Sequence, residues 1–226
     1  RNNGEVMTGS ENFPPPQLAQ LGEIVESSLR EFMDERTLPL YTMMGYQFGW
    51  VDEHGDEVAR RLPERIRGAI CLLASGSAGG FSDRAARAAG AIELLHNFSL
   101  IHADIQEGST DRDDRPAVWW TWGAAQAINA GDGMHALARL ALFSLSEMGA
   151  PAHVVGSLLK TLDEAALTMC EGTYQDTVFQ QDMRVSVDDY LSMAQSQVGA
   201  PIAAAGQLGV LLSGTRDDDV AEAIGR

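Results

Sequence analysis

Apolar residues recur at the spacing of an α-helix along most of this chain, and no segment alternates apolar and polar residues as a half-buried strand would. Helices are predicted over residues 17–35, 65–75, 82–107, 123–128, 133–148, 151–171, and from 187 to about 214. Residues 41–57 and 173–186 are predicted to be irregular. The pattern predicts an all-α fold of about eight to ten helices in a single domain, residues 17–226, after a flexible N-terminal arm at residues 1–16.

Charge restricts the partners of such a domain. The 226 residues carry a net charge of −16, which argues against nucleic acid and against electrostatic docking on anionic lipid. The longest apolar stretch, Val198 to Leu212, contains Gly, Pro and Gln and is predicted to be a buried helix, not a membrane span. The N-terminus lacks the apolar core of a signal peptide, so a cytoplasmic location is expected. Because the chain does not begin with Met, we expect that it has been trimmed.

The two cysteines lie in apolar periodic segments, far apart and without the spacing of metal ligands. Cys71 and Cys170 are therefore predicted to be buried, reduced thiols, and neither a disulfide nor a zinc site is expected.

The predicted helix at 82–107 has a narrow polar stripe. Six residues fall within about 100° of one another on a helical projection: Glu93, His96, Asn97, Leu100, Asp104 and Glu107. The opposite side carries Leu94, Leu95, Phe98, Ile101 and Ile105. An ordinary surface helix with a solvated polar face is one interpretation. The narrowness of the stripe and the apolar neighbouring segments favour another, a central helix whose polar stripe lines a cavity.

Two carboxylates near the end of this helix are candidates for metal binding. Asp104 and Glu107 are three residues apart, so they could share one hard cation such as Mg²⁺ and leave coordination positions for water and a diphosphate. Zinc prefers His and Cys and is not expected at such a pair.

The sequence AIELLHNFSLIHADIQE, followed by RDDRPAVWWTWGAAQAINAGDGM, resembles the trans-isoprenyl diphosphate synthases. Their motifs read E-x-x-H-x-x-S-L-I-H-D-D-x-x-D, then R-R-G-x-P, then A-I-N-A-G-D. Further similarity lies in ERIRGAICLLASGSAGG, CEGTYQDTVFQ and VSVDDYLSMAQSQVGAPIAAAGQLGVLLSG, so most of residues 60–214 is covered in matching order. The resemblance implies a helical bundle of the farnesyl diphosphate synthase type, a prenyl diphosphate donor and a homodimer.

The first aspartate-rich motif departs from the family pattern. Ala103 stands at its leading position, with Asp104 second and Glu107 third, and the second such motif would fall beyond residue 226. The resemblance therefore implies that Mg²⁺ binds weakly and is dispensable. Arg112, the first arginine of R-R-G-x-P, is expected to take over part of the charge stabilisation.

The side of the site that accepts isopentenyl diphosphate in the family departs further. Glu64 replaces a lysine and Asp113 replaces an arginine, which would repel a compact diphosphate. The resemblance assigns acceptor or leaving-group binding to the remaining matched or neighbouring positions, Arg65, Arg67, His96, Asn97, Gln175, Asp176 and Gln197. It implies an acceptor with a single, less charged anion, as in family members that act on a farnesyl-phosphoglycerate lipid in moenomycin-type phosphoglycolipid antibiotic biosynthesis. Such an acceptor would allow at most transient membrane association.

Phe98 lies where the family often places an aromatic floor under the prenyl pocket, which implies a donor of geranyl or farnesyl length; plain core packing is the alternative. Trp119, Trp120 and Trp122 could shield a carbocation or simply pack at a helix start or subunit interface.

Three other features are interpreted as structural. His102 is predicted to be a hydrogen-bonded core histidine, and Asp132 to cap the following helix. The run Asp217–Asp219 is predicted to begin a solvated helix rather than to hold a metal.

The sequence is also compatible with two other functions. A terpene cyclase on the same fold would also lack the usual acceptor pocket. Cyclases depend on a metal cluster, however, and the carboxylates missing from this sequence count against that function. A non-catalytic small subunit of a prenyl diphosphate synthase would also show incomplete motifs.

Overall fold

The structure, a computed structural model, describes residues 16–34, 36–59, 64–78, 82–181 and 184–213. Its helices are α1 (Pro16–Met33), α2 (Pro39–Phe48), α3 (Ile66–Ala78), α4 (Asp83–Glu107), α5 (Val118–Trp122), α6 (Ala124–Phe143), α7 (Ala152–Phe179), α8 (Val187–Ala194) and α9 (Ala200–Leu212). A 3₁₀ turn, Ser144–Ser146, and a π-helical turn, Gln195–Gly199, extend α6 and join α8 to α9. A short hairpin, β1 (Asp111–Arg112) and β2 (Arg115–Pro116), follows α4. The all-α prediction is confirmed.

Helix α4 is the central element of the bundle, as the second interpretation predicted, although the cavity beside it is not lined by the residues of the polar stripe. It packs against α1, α3, α6, α7 and α9. Residues from its two sides, such as Leu94 and Asp104, are equally buried. The predicted cap is confirmed, since the Ser82 hydroxyl accepts the Ala85 N–H at 3.2 Å. A buried helix with polar residues on one side requires partners for them inside the bundle.

The prediction of an irregular segment at 41–57 is wrong for its first half. Pro39 begins α2, whose last six residues are buried, and Gly49 ends the helix with φ +83°. The spacing of apolar residues did not reveal α2 because this helix is buried around most of its circumference and so lacks amphipathic periodicity.

Two Ala-rich helices were predicted at 123–128 and 133–148, with a break between them. The structure joins them in one continuous helix, α6. Asp132 lies in its middle with a side chain 66% exposed, so the capping prediction is wrong. The glycines that resembled a break allow close packing instead, because a Cβ on Gly131 would collide with the His102 ring and one on Gly133 with Met44.

Helix α7 continues into the region predicted to be a polar break. Its threonines tolerate the helix because their hydroxyls donate to carbonyls one turn earlier, Thr173 to Met169 at 2.9 Å and Thr177 to Thr173 at 3.0 Å.

The cysteines are both free, as predicted, but only Cys71 is buried; Cys170 is exposed on α7. Burial raises the pKa of the Cys71 thiol to about 12. The predicted helix at 198–212 is confirmed over α9, which is largely buried. No helix within the described ranges has the length and apolarity needed to cross a bilayer. The predictions for the N-terminal arm up to residue 15 and for Asp217–Asp219 fall outside the described residues.

Candidate active site

A bidentate ion pair stands at the C-terminal end of α4. Arg112 Nε lies 3.0 and 2.8 Å from the two carboxylate oxygens of Asp104, and its Nη2 lies 2.6 Å from Oδ1. The hairpin presents Arg112 because Asp113 and Asp114 form its turn at φ +51° and +60°. The hydrogen bonds and charge of Asp104 raise the pKa of Arg112. Both oxygens of the buried Asp104 carboxylate thus already have a cationic partner.

This pairing bears on the expected metal site. Glu107 is exposed and accepts a long hydrogen bond of 3.5 Å from Ser109, so its environment differs from that of the buried Asp104. Within the described part of the chain no three His, Cys, Asp or Glu side chains come together as metal ligands. The described residues therefore do not fit a magnesium site of the family's kind. Asp104 is the buried carboxylate of the first aspartate-rich motif, and both of its oxygens are bound by Arg112.

His96, on the same stripe of α4, lies among positive charges. Burial, together with the charges of three nearby arginines, lowers the pKa of His96 to about 3. These arginines are Arg67, Arg112 and Arg65. The structure thus brings together side chains from α3, α4 and the hairpin, and His96 is a neutral ring at pH 7 that can donate or accept a hydrogen bond.

Arg65 and Arg67 differ in their hydrogen-bond partners. Arg65 is 4% exposed, with its guanidinium 2.9 Å from Glu26 and 3.2 Å from the Phe48 carbonyl, so it is held inside the bundle by core partners. The buried Nε of Arg67 has no hydrogen-bond partner among the described residues. Burial lowers the pKa of Arg67, and the charge of Glu93 opposes this shift. Arg67 is thus the arginine whose environment suits an added anion.

Glu93 was not predicted as a site residue, yet it binds the first turn of the helix that carries Arg67. Its buried carboxylate accepts the N–H of Gly68 at 2.9 Å at the start of α3, and its charge acts on both Arg65 and Arg67. Burial raises the pKa of Glu93. Its place one turn before His96 on the polar stripe was the signal that could have identified it.

Asn97 faces the core. Its amide donates to the Glu93 carbonyl at 2.9 Å, and its oxygen accepts from Gln47 of α2 at 3.4 Å. Gln47 lies in the segment predicted to be irregular, so no pattern in the sequence indicated this contact.

The predicted site residues of α7 and the π-helical turn form a second group. Gln197 Nε2 donates to Thr173 at 3.5 Å, which links the turn to α7. Gln175 and Asp176 are half-buried, and Gln175 Oε1 has no hydrogen-bond partner in the described ranges. The widened backbone at Gln195–Gly199 is of a kind often found at functional sites.

A cavity of about 270 Å³ lies between α4 and α7. Its walls include Phe98, His102 and Gln106 from α4 and Met169, Thr173 and Tyr174 from α7. Gln106 and Phe98 are about 12 Å apart along the helix axis. The cavity therefore extends along α4 from Gln106 back toward Phe98, and Asp104, Arg112 and His96 do not line it.

His102 is hydrogen-bonded, as predicted, but it lines the cavity rather than the core. Its Nε2 lies 3.3 Å from the Ile128 carbonyl and 3.7 Å from Asp132.

The tryptophans pack around the hairpin. Trp119 donates to the Ser109 carbonyl at 2.7 Å, and Trp122 meets Tyr46 edge-on at 4.9 Å. Trp120 is 60% exposed. This arrangement agrees with packing at a helix start, one of the two alternatives left open by the sequence.

Comparison with known proteins places the chain in a family. The sequence profile of the polyprenyl synthetase family matches residues 49–226. The chain belongs to the polyprenyl synthetase family. It is 34% identical over 199 residues to a (2E,6E)-farnesyl diphosphate synthase of Mycobacterium tuberculosis H37Rv, covering 88% of this chain and 54% of the relative. A geranylgeranyl diphosphate synthase of the same strain is 33% identical over 183 residues, 81% of this chain and 51% of the relative.

Solved structures agree with the family assignment. A polyprenyl synthetase from Streptomyces coelicolor A3(2) superposes with a TM-score of 0.85 at 32% identity, over 92% of this chain and 60% of that one. The chain spans about half the length of the curated polyprenyl synthetases that it matches.

Proposed function

We propose that this protein transfers a short allylic prenyl group from its diphosphate to an acceptor other than isopentenyl diphosphate. Family membership supports the reaction class, since the relatives are named farnesyl and geranylgeranyl diphosphate synthases. The observation that carries the proposal is the convergence of Arg65, Arg67 and Arg112 on His96. Such a cationic cluster inside a strongly acidic protein suits an anionic substrate.

The donor is proposed to lie with its diphosphate near Arg112. The contacts to Asp104 use Nε and Nη2, so Nη1 is the group left to meet a diphosphate oxygen. In the transfer, the allylic C–O bond breaks with its electrons on the diphosphate, and the cation is captured by a double bond of the acceptor. Loss of a proton from the acceptor completes the product. Arg112 stabilises the developing charge in this proposal, and magnesium has a weak and dispensable role.

The acceptor is proposed to carry a single, less charged anion. Glu64 and Asp113, both exposed, stand where the family has a lysine and an arginine. Arg67 and the neutral His96 offer one cation and one hydrogen-bonding ring, which suits a carboxylate or phosphodiester better than a diphosphate. Because Arg65 is paired with Glu26, the proposal gives it a supporting role. A farnesyl-phosphoglycerate lipid, as in moenomycin-type biosynthesis, has this chemistry.

We also propose a homodimer located in the cytoplasm. Large apolar side chains on α6 and α7, among them Leu140, Phe143 and Leu167, are more than half exposed, as expected of a surface that another subunit covers. Light scattering would give the mass of the purified chain in solution.

The test is turnover of geranyl diphosphate by the purified chain, with and without Mg²⁺, in the presence of farnesyl-phosphoglycerate or isopentenyl diphosphate. Product is expected only with the glycerate lipid. Elongation of isopentenyl diphosphate would overturn the proposed acceptor, and a cyclic hydrocarbon formed without acceptor would establish a cyclase. A chain that binds another synthase and turns over nothing alone would be a non-catalytic subunit.

A further inference from the structure

The hairpin that carries Arg112 is too small to fix its own orientation. Its two strands, Asp111–Arg112 and Arg115–Pro116, have two residues each and are joined by a turn of two residues. A two-stranded hairpin alone is at best marginally stable in water. The direction in which the Arg112 side chain points therefore depends on the contacts that the hairpin makes elsewhere in the bundle.

The two arginines of the hairpin are bound by different helices. Arg112 and Arg115 are paired across the strands. Residues paired in this way project to the same face of a hairpin, and like charges there repel one another. Arg112 is bound by Asp104 of α4, whereas Arg115 is bound by the C-terminal turn of α2. The hairpin is thus attached to two helices, one through each strand.

The attachment to α2 is made by Tyr46. Nη2 of Arg115 donates to the Tyr46 carbonyl at 2.8 Å, and the Tyr46 hydroxyl donates to the Pro116 carbonyl at 2.8 Å. The guanidinium carbon of Arg115 also lies 4.3 Å from the centre of the Tyr46 ring. A cation is favoured at a carbonyl in the last turn of a helix and over an aromatic ring. We call this set of contacts the α2 clasp.

Helix α2 is itself fixed by the core. Tyr46 is only 4% exposed. Gln47 donates to Asn97 of α4 at 3.4 Å, and Met44 lies so close to α6 that a Cβ on Gly133 would collide with it. Movement of α2 would disturb these contacts, so the clasp connects the hairpin to a rigid part of the molecule.

We infer that Tyr46 and Arg115 are positioning residues, which fix the hairpin so that Arg112 is directed to the donor diphosphate. The inference rests on the proposed function, in which Nη1 of Arg112 meets a diphosphate oxygen. Arg115 falls at the unspecified position of R-R-G-x-P, so the family pattern gives it no role. Without the clasp the hairpin would adopt more orientations, and the donor would bind only the fraction of molecules with Arg112 in place.

The experiment measures by calorimetry the affinity of the full chain for the non-hydrolysable thiolodiphosphate analogue of geranyl diphosphate. Arg115→Met removes the donor to α2 but keeps a long side chain, Arg115→Lys keeps a cation that can donate, and Tyr46→Phe removes only the hydroxyl. The matched control is Arg84→Met. Arg84, at the start of α4, also donates to a backbone carbonyl, that of Met148 at 2.7 Å.

Arg115→Met and Tyr46→Phe are each expected to weaken binding by about fivefold, as for the loss of one hydrogen bond. Arg115→Lys and Arg84→Met are expected to change the affinity by less than about twofold. Arg112→Gln/Arg115→Met is expected to bind as weakly as Arg112→Gln, because Arg115 acts through Arg112. If Arg115→Met does not fold, as judged by circular dichroism, Tyr46→Phe takes its place in each comparison.

A second measurement follows the position of Arg112 without any ligand. In protein with nitrogen-labelled arginine, the Nε–H signal of Arg112 is assigned by its loss in Arg112→Gln. This group donates to Asp104 at 2.8 Å, so its exchange with solvent is expected to be slow in the wild type. Faster exchange is expected in Arg115→Met and not in Arg84→Met.

Unchanged donor affinity in both Arg115→Met and Tyr46→Phe, a loss that adds to that of Arg112→Gln, or unchanged exchange at Arg112 overturns the inference and leaves the proposed function intact. If the wild type does not bind the analogue, the proposed donor site and the inference both fail.

Discussion

Arg112 and Asp104 are the residues whose pairing most affects the chemistry of the site. A metal-binding motif uses a carboxylate to attract cations from solution, whereas here a guanidinium attached to the chain already meets both oxygens. The pair is partly buried, with Asp104 1% and Arg112 27% exposed at the side chain. Removing one partner would leave the other with unbalanced charge in a region of low polarity.

Asp104→Asn is expected to lower the free energy of unfolding by about 2–3 kcal/mol, because Arg112 loses its counter-ion while partly buried. A double-mutant cycle with Arg112→Gln, followed by urea unfolding, measures the coupling between the two side chains. Glu164→Gln, which removes one partner of the exposed pair with Lys160, serves as the control and is expected to change stability by less than about 0.5 kcal/mol. Additive effects of Asp104→Asn and Arg112→Gln would contradict this account.

At the scale of elements, the contact between α4 and α6 positions the His102 ring, which lines the cavity. Gly131 lets α6 approach the His102 ring, whose Nε2 donates to the Ile128 carbonyl at 3.3 Å. A helix-interior glycine ordinarily costs about 1 kcal/mol relative to alanine, so its presence here reflects the lack of space for a side chain.

Gly131→Ala is expected to destabilise the protein by about 1–3 kcal/mol despite the better helix propensity of alanine, because the new Cβ would force His102 to move. Gly156→Ala in α7 is the matched control: a Cβ there meets nothing within 4 Å, so the same change is expected to stabilise by about 1 kcal/mol. Thermal unfolding of both variants measures the difference, and equal shifts of the same sign would refute the packing argument.

The sequence was sufficient for elements with long amphipathic patterns and insufficient where packing overrides local signals. Helix α4 and its Ser82 cap follow directly from spacing and cap chemistry. The continuity of α6 could not be predicted, because Gly131 looks like a break until its neighbour on α4 is known. The hairpin was missed because Asp113 and Asp114 replace the Asn-Gly that usually marks such a turn.

At the scale of the whole molecule, burial of titratable groups links folding to pH. His96 takes up a proton below about pH 6.5 when unfolded but only near pH 3 when folded. Between these values the unfolded state binds more protons, so this contribution to stability falls as the pH falls, and it is constant above them. The raised pKa of Glu93 acts in the opposite sense, since the folded state holds that proton more tightly.

His96→Gln is therefore expected to flatten the fall of stability between about pH 6 and pH 4 by as much as about 1.4 kcal/mol per pH unit. Urea unfolding across this range measures the slope, and the Glu93 contribution is common to both proteins. His153→Gln, at an exposed position, is expected to leave the slope unchanged. Parallel profiles for His96→Gln and the wild type would show that His96 titrates alike in both states.

The link between Arg112 and Asp104 also has a consequence for the order of folding. The two residues are only eight positions apart, so their contact closes a very short loop. Closing loops of about ten residues takes about 10–100 ns, far less than assembly of a helical bundle. The end of α4 and its hairpin can therefore acquire their mutual arrangement before helices that are distant in sequence pack against α4.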